Sequence, residues 1–216
     1  MPDLAFAVEN VVADQDAAAP LLMFGVRITC ADPSTEVQSI ALRCQVQIEA
    51  TRRRYQPEEQ ARLVDLFGEP DRWSRTLRTL LWAHASAVVP SFAGSTLVEL
   101  PVPCTFDFNV AATKYFHSLE HGEIPLSLQF SGTIFYATVD DHLQVAQIPW
   151  DKEANYRLPV AVWHEMMNIF YPNGAWLRLR QDVFERLLQY KAQHGIPTWE
   201  ATIESLLSTS PQRVPS

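Results

Sequence analysis

The chain has 216 residues, 47% hydrophobic and 19% charged, enough to bury a sizeable core without a disulfide or metal staple. Its net charge of −8 argues against nonspecific nucleic-acid binding, which needs a basic face. Its apolar runs fall far short of the ~20 residues of a membrane span, and the N-terminus lacks the basic-then-apolar pattern of a signal peptide.

The first half reads as strands. Leu4, Phe6 and Val8 alternate with less apolar neighbours, and the Ala- and Asp-rich residues 10–20 read as a loop. Phe24, Val26, Ile28 and Cys30 alternate next, followed by the turn signal Asp32-Pro33-Ser34. The clearest pattern in the chain comes after it. Ile40, Leu42, Cys44, Val46 and Ile48 point one way, and Arg43, Gln45, Gln47 and Glu49 the other. Period two with one polar face predicts a half-buried strand of an antiparallel sheet.

The period then changes. Gln56-Pro57-Glu58-Glu59 predicts a helix start, with Pro in the first turn and acids favoured by the helix dipole. Leu63, Leu66 and Phe67 supply the apolar face, and Gly68 ends it. A second helix is predicted from Asp71 to about Val88, because Trp73, Leu77, Leu80, Leu81 and His84 recur at helical spacing. Strands resume at Leu97–Val102, Phe106-Phe108-Val110, Leu126-Leu128-Phe130 and Thr133–Val139, with Asp140-Asp141 as a hairpin turn before Leu143–Gln147.

From Pro159 the chain turns helical. Leu158, Val162, Trp163, Met166, Met167 and Phe170 predict one apolar face, broken by Pro172-Asn173-Gly174. Trp176–Gln193 predicts a second helix, ended by His194-Gly195-Ile196-Pro197. Thr198 caps a last helix through Leu207. The expected fold class is α+β: an antiparallel, sandwich-like sheet with an inserted helical pair and a helical C-terminal third. One domain is expected over residues 1–207, with 208–216 as a flexible tail.

Few motifs point to chemistry. Cys30, Cys44 and Cys104 are widely spaced and form no Cys-x-x-Cys pair, so zinc-ribbon and thioredoxin readings lack support. They read as buried free thiols in a reduced, cytoplasmic setting. There is no G-x-S-x-G, P-loop or G-x-G-x-x-G, and with seven glycines in all a phosphate-cradling loop is hard to build. No cofactor is expected.

His117-Ser118-Leu119-Glu120-His121 is an H-x-x-E-H string. On a helix, His117 and His121 share a face that can hold zinc, and Glu120 activates water. Gly122 and Pro125 follow closely, and a connecting helix with exposed His and Glu is the plainer reading. His164-Glu165 opens like a zinc-peptidase motif but has Asn168 at the second ligand position, so both read as solvated helix residues. Two basic groups are candidate partner sites. Arg52, Arg53 and Arg54 follow the best strand. Arg72, Arg75 and Arg78 fall at i, i+3 and i+6 of the predicted second helix. Each could dock an acidic partner, and a solvated strand end or helix face is the plainer reading of each. Trp150, Trp163, Met166, Met167 and Trp176 read as core packing of helices on the sheet.

Several strings together resemble one family. They are Tyr55-Gln56-Pro57-Glu58 with Leu66-Phe67-Gly68, Phe106-Asp107-Phe108-Asn109-Val110 through Lys114-Tyr115-Phe116, Gly122-Glu123-Ile124-Pro125-Leu126 with Phe130-Ser131-Gly132-Thr133, and Ile148-Pro149-Trp150 through Tyr171-Pro172-Asn173. They are similar to a bacterial, actinobacterial-type domain of unknown function, DUF6084, over nearly the whole chain. The resemblance carries no catalytic residues. What it implies is context, since members are often encoded beside nickel–iron uptake hydrogenase structural and maturation genes. The expected function is therefore a non-enzymatic accessory or assembly protein whose partner is a hydrogenase subunit or maturation factor, with no nucleic acid and no membrane involved. The alternative is a zinc-dependent hydrolase using His117, Glu120 and His121.

Overall fold

The computed structural model describes residues 2–105, 110–137, 142–174 and 179–209. The chain divides into two compact units, Met1–Asn173 and Gly174–Ser216.

In the first unit, β1 (Leu4–Ala13), β2 (Leu21–Cys30) and β6 (Ser95–Pro103) form a three-stranded antiparallel sheet in the order β1-β2-β6. A second antiparallel sheet has the order β4-β3-β7-β8, from β4 (Leu80–Val89), β3 (Glu36–Ile48), β7 (Glu123–Ala137) and β8 (Leu143–Gln147). The short β5 (Phe92–Ala93) also pairs with β3, and β9 (Glu153–Pro159) with β7. At the margins β6 lies beside β4, and β1 beside β9. The Lys152 ammonium meets the Asp3 carboxylate at 2.7 Å where β1 and β9 begin.

The expected α+β sandwich is thus observed, with about 42% strand and six helices among the described residues. Its core is the alternation already visible in β3. Ile40, Leu42, Cys44, Val46 and Ile48 are all buried, as are Phe24, Val26, Ile28 and Cys30 of β2. Each large side chain so enclosed contributes roughly 1.5–3 kcal/mol of transfer free energy. Phe6 stacks on Phe130 across the two sheets with ring centres 4.4 Å apart.

The helix predicted over Asp71–Val88 is corrected. Only a 3₁₀ turn (Pro70–Arg72) and one helical turn, α2 (Trp73–Thr76), form before β4 begins. The inserted helical pair is therefore α1 (Pro57–Phe67) and this single turn. The helical spacing joined residues of different elements: Trp73 of α2, Leu77 of the extended link after it, and Leu80, Leu81 and His84 of β4. A register shift opposite Val46 and Gln47 puts an extra residue, Trp82, into β4. The buried residues of the strand are then Trp82, Ala85 and Val89, a spacing of i, i+3 and i+7 that imitates a helix face.

Other differences are smaller. β1 continues to Ala13, through part of the expected loop. The two strands expected at 126–130 and 133–139 are one long β7. At its centre Gly132 adopts φ +138°, and a Cβ there would lie 2.1 Å from the Ala41 carbonyl oxygen. Of the expected strand at 106–110, Val110 instead opens α3 (Val110–Ser118), and the rest lies outside the described residues, as do Asp140 and Asp141.

β9 was not anticipated. It follows a turn in which the Lys152 N–H donates to the Pro149 carbonyl at 3.2 Å. On either side, Ile148 N–H donates to Gly132 O and Phe130 N–H to Lys152 O, both at 2.9 Å. Residues 149–151 therefore bulge out opposite the single residue Ser131. Pro149, which has no N–H for a ladder, sits where none is needed. Trp150 at the tip is 94% exposed, so it is not part of the core.

α4 (Val160–Phe170) starts at Pro159 as expected and buries Val160, Trp163, Met166 and Met167. Leu158 belongs to β9 instead. Trp163 stacks on Phe116 of α3 at 5.3 Å, sealing that end of the sandwich.

The second unit is a helical hairpin of α5 (Gln181–Gln193) and α6 (Trp199–Thr209). Phe184 meets Trp199 at 5.3 Å. The Thr198 hydroxyl caps α6 by accepting from Ala201 N–H at 3.1 Å, as its sequence position predicts. α6 runs two residues into the stretch read as tail, and residues 210–216, like Trp176 and Leu177, lie outside the described residues.

Candidate functional site

The exit from β3 builds the best-formed site. A 3₁₀ turn (Ala50–Arg52) buries Ala50 and turns the chain back toward α1. The Tyr55 hydroxyl holds this turn by donating to the Ala50 carbonyl at 2.7 Å, and lies 2.8 Å from the Tyr115 hydroxyl of α3. Burial raises both phenols, Tyr55 to about 12, so both stay protonated and serve as hydrogen-bonding fixtures.

The three consecutive arginines then separate. Arg53 turns inward and is nearly enclosed, as is its partner Glu59 of α1, at 2.6 Å. The Arg53 guanidinium also donates to the carbonyls of Glu123 (2.6 Å) and His121 (2.7 Å). Glu59 in turn accepts from the N–H groups of Gln56 (3.1 Å) and Glu120 (3.2 Å). One ion pair thereby bolts together the exit of β3, the start of α1 and the loop between α3 and β7. Among the buried side-chain nitrogens and oxygens of the described residues, Arg53 Nε is left without a hydrogen-bond partner.

Around this bolt lies a pocket of about 690 Å³. Arg52, Arg54 and Arg157 of β9 stand exposed on its walls, beside Glu58, Glu120, His121 and Glu123. Arg52 is weakly engaged, 3.6 Å from Glu49 and 3.4 Å from the Asn155 amide oxygen. Arg157 lies 3.8 Å from Glu123. Glu120 is committed to Arg62. Arg54 makes no ion pair among the described residues. The pocket lining holds no hydroxyl or thiol nucleophile. Four arginines and four glutamates line it, so its formal charges balance, and the exposed guanidiniums are planar donors of the kind that pair with carboxylates.

The other candidates are placed differently. Arg72, Arg75 and Arg78 are exposed, but they lie on a 3₁₀ turn, on α2 and on an extended link, so the shared helix face does not form. None of them lines the pocket.

α3 ends at Ser118, so His117 and His121 do not stand one turn apart on a continuous helix. His121 faces the arginine pocket. His117 packs edge-on against Trp163 at 4.7 Å. Much of its ring still meets solvent, but desolvation on the packed side and the nearby His164 hold its imidazole below the usual range. Among the described residues no group of three or more His, Cys, Asp or Glu is placed to hold a metal ion. His164 is half-buried rather than solvated, with Nε2 3.0 Å from the Leu119 carbonyl.

Two members of the site were missed in the sequence. Glu59 was read only as a helix-dipole acid. Arg157 was overlooked because β9 was, although Ala154 and Leu158 alternate inward against Glu153, Asn155 and Arg157 outward.

The family model of DUF6084, a family of unknown function, matches residues 1–215. The chain belongs to this family. No curated protein matches it. Among solved structures, the DUF6084 chain is similar to the solution structure of a protein described as late embryogenesis abundant, at 13% identity and a TM-score of 0.32, over 74% of this chain and 73% of that one.

Proposed function

We propose that this DUF6084 chain is a non-enzymatic accessory protein that holds an acidic segment of a protein client at the Arg52, Arg54 and Arg157 rim. The observation that carries the reading is Arg54, an exposed guanidinium without an ion pair among the described residues, between two weakly engaged neighbours on a rigidly bolted base. The bolted base fixes where the backbone presents these guanidiniums, and their unspent donors stay available to an acidic group. The hydrogenase-linked context implied by the family resemblance makes a nickel–iron hydrogenase subunit or maturation factor the proposed client. Three free, buried cysteines support a reducing, cytoplasmic setting, and no helix among the described residues is long and apolar enough to cross a membrane.

The test is co-purification from native cells under gentle conditions, comparing the wild type with the double reversal R52E/R54E. A hydrogenase subunit or maturation factor should accompany the wild type, weaken with added salt, and be lost from the reversal. Its consistent absence, or its undiminished capture by R52E/R54E, refutes the reading.

A further inference from the structure

The pocket at the exit of β3 balances its charges but does not pair them all. Arg53 is taken by Glu59, Arg157 lies against Glu123, Glu120 is held by Arg62, and Arg52 lies near Glu49. Two charged groups of the lining are left over, Arg54 and Glu58. Both are exposed, and neither side chain makes an ion pair or hydrogen bond among the described residues. Glu58 stands in the first turn of α1, where the helix dipole favours an acid. The bond that closes this helix start is made by its neighbour, since Glu59 accepts from Gln56 N–H. A free carboxylate and a free guanidinium therefore stand on the walls of one pocket of about 690 Å³, a size suited to a small ligand or a short stretch of chain.

These two groups make opposite demands on whatever enters. Arg54 calls for a carboxylate. A second carboxylate on the same segment would meet Glu58, with Glu120 and Glu123 on the same lining and a net charge of −8 on the chain as a whole. Like charges set together at an interface turn a partner away. A cation beside the carboxylate removes that conflict, because it pairs with Glu58 while the carboxylate pairs with Arg54. In an extended segment, residues i and i+2 face the same side about 7 Å apart, so one short stretch can offer both.

We infer that the client segment held at the rim is of mixed charge rather than purely acidic: it carries a carboxylate that pairs with Arg54 and, on the same side, a Lys or Arg that pairs with Glu58. The inference rests on the rim reading and adds to it the second charge and the direction of the bound segment. Arg54 precedes α1 and Glu58 lies in its first turn, so the two ends of the site are distinct and the segment is held one way round.

The experiment is fluorescence anisotropy of three labelled Gly/Ser peptides titrated with the full chain, one carrying Glu-Ser-Lys, one Lys-Ser-Glu and one Glu-Ser-Glu. The two mixed peptides share composition and net charge, so nonspecific attraction does not separate them. The wild type should prefer one of them by about fivefold or more, the discrimination expected of two exposed ion pairs. The charge exchange R54E/E58R leaves the net charge unchanged and should prefer the other by a similar factor. E58Q should bind the two alike. Both variants should keep the wild-type melting transition, since both positions are exposed. Equal binding of the mixed peptides by the wild type overturns the proposal, and so does a preference that survives the exchange or E58Q. Glu-Ser-Glu binding as tightly as the preferred mixed peptide overturns it and leaves the rim reading standing. Binding of none of the three at about 1 mM, the weak end of specific association, removes the proposal and the rim reading with it.

Discussion

Replacing Arg53 with methionine tests the bolt beneath the candidate site. The substitution leaves the Glu59 carboxylate enclosed, its side chain 4% exposed, with only the Gln56 and Glu120 N–H groups to compensate it. It also strips donors from the His121 and Glu123 carbonyls. Breaking a buried pair by removing one partner costs about 3–5 kcal/mol. With a denaturant slope of about 2 kcal/mol/M, the urea midpoint should fall by roughly 1.5–2.5 M. The reverse change, E59Q, should cost less, because Arg53 keeps two carbonyl acceptors and a neutral amide partner. The double variant R53M/E59Q should cost much less than the two single losses added, since no charge remains buried. Urea unfolding of the four proteins, followed by circular dichroism, measures all of this. An R53M loss under about 1 kcal/mol, the range of an exposed surface pair, would refute the reasoning and return Arg53 to the rim as a free binding group.

Other outcomes follow from the same contacts. His117 is held below its usual pKa, so the unfolded chain binds that proton more readily than the folded one. Its contribution should be intact above the unfolded value near 6.5 and be lost as pH falls toward the depressed folded value. Thermal melts from pH 7 to 5 should show that slope, flattened in H117N; an unchanged slope counts against the assignment. At Gly132, alanine would drive Cβ into the Ala41 carbonyl at a φ that L-residues rarely adopt, and G132A should lose about 3 kcal/mol. G25A is the control, because its Cβ meets only the Asn10 side chain, which can rotate away; equal losses would discount the backbone clash. Burial pushes the Cys44 and Cys104 thiols up to about 12, so at pH 8 a thiol reagent should label them only on unfolding. Rapid labelling of both in the native protein would contradict their enclosure.

The legible parts of the fold were those in which a single period governs a whole element. From Ile40 to Ile48 β3 alternates without interruption, and all five inward residues of that stretch are buried. α1 has its proline, its first-turn acids and its terminal glycine in place. Reading failed where pairing bends the period. Trp73 and Leu77 precede β4, and together with Leu80, Leu81 and His84 inside it they made a helical spacing that no single element carries. The bulge at 149–151 concealed that β8 and β9 run along the same side of β7. The arginine triplet was visible as a group, but the inward turn of its middle member depends on Glu59 and on carbonyls about 70 residues downstream. Trp150, counted with the core for its size, is held in solvent by its turn.

The central pairing of β3 with β7 joins residues about 80 positions apart, as at Gln47 and Ser127. A ribosome adding about 5–20 residues per second needs roughly 4–16 s to cover that distance. During this interval β3 has left the ribosome with its apolar face ready and its central partner unmade. β1 waits longer still, for the β9 strand beside it. Dominance by such distant pairings also places the folding of the released chain in the slow, millisecond-to-second class. The nascent sandwich is therefore exposed to chaperones, and to neighbouring chains on the same message, for longer than a helical protein of equal length.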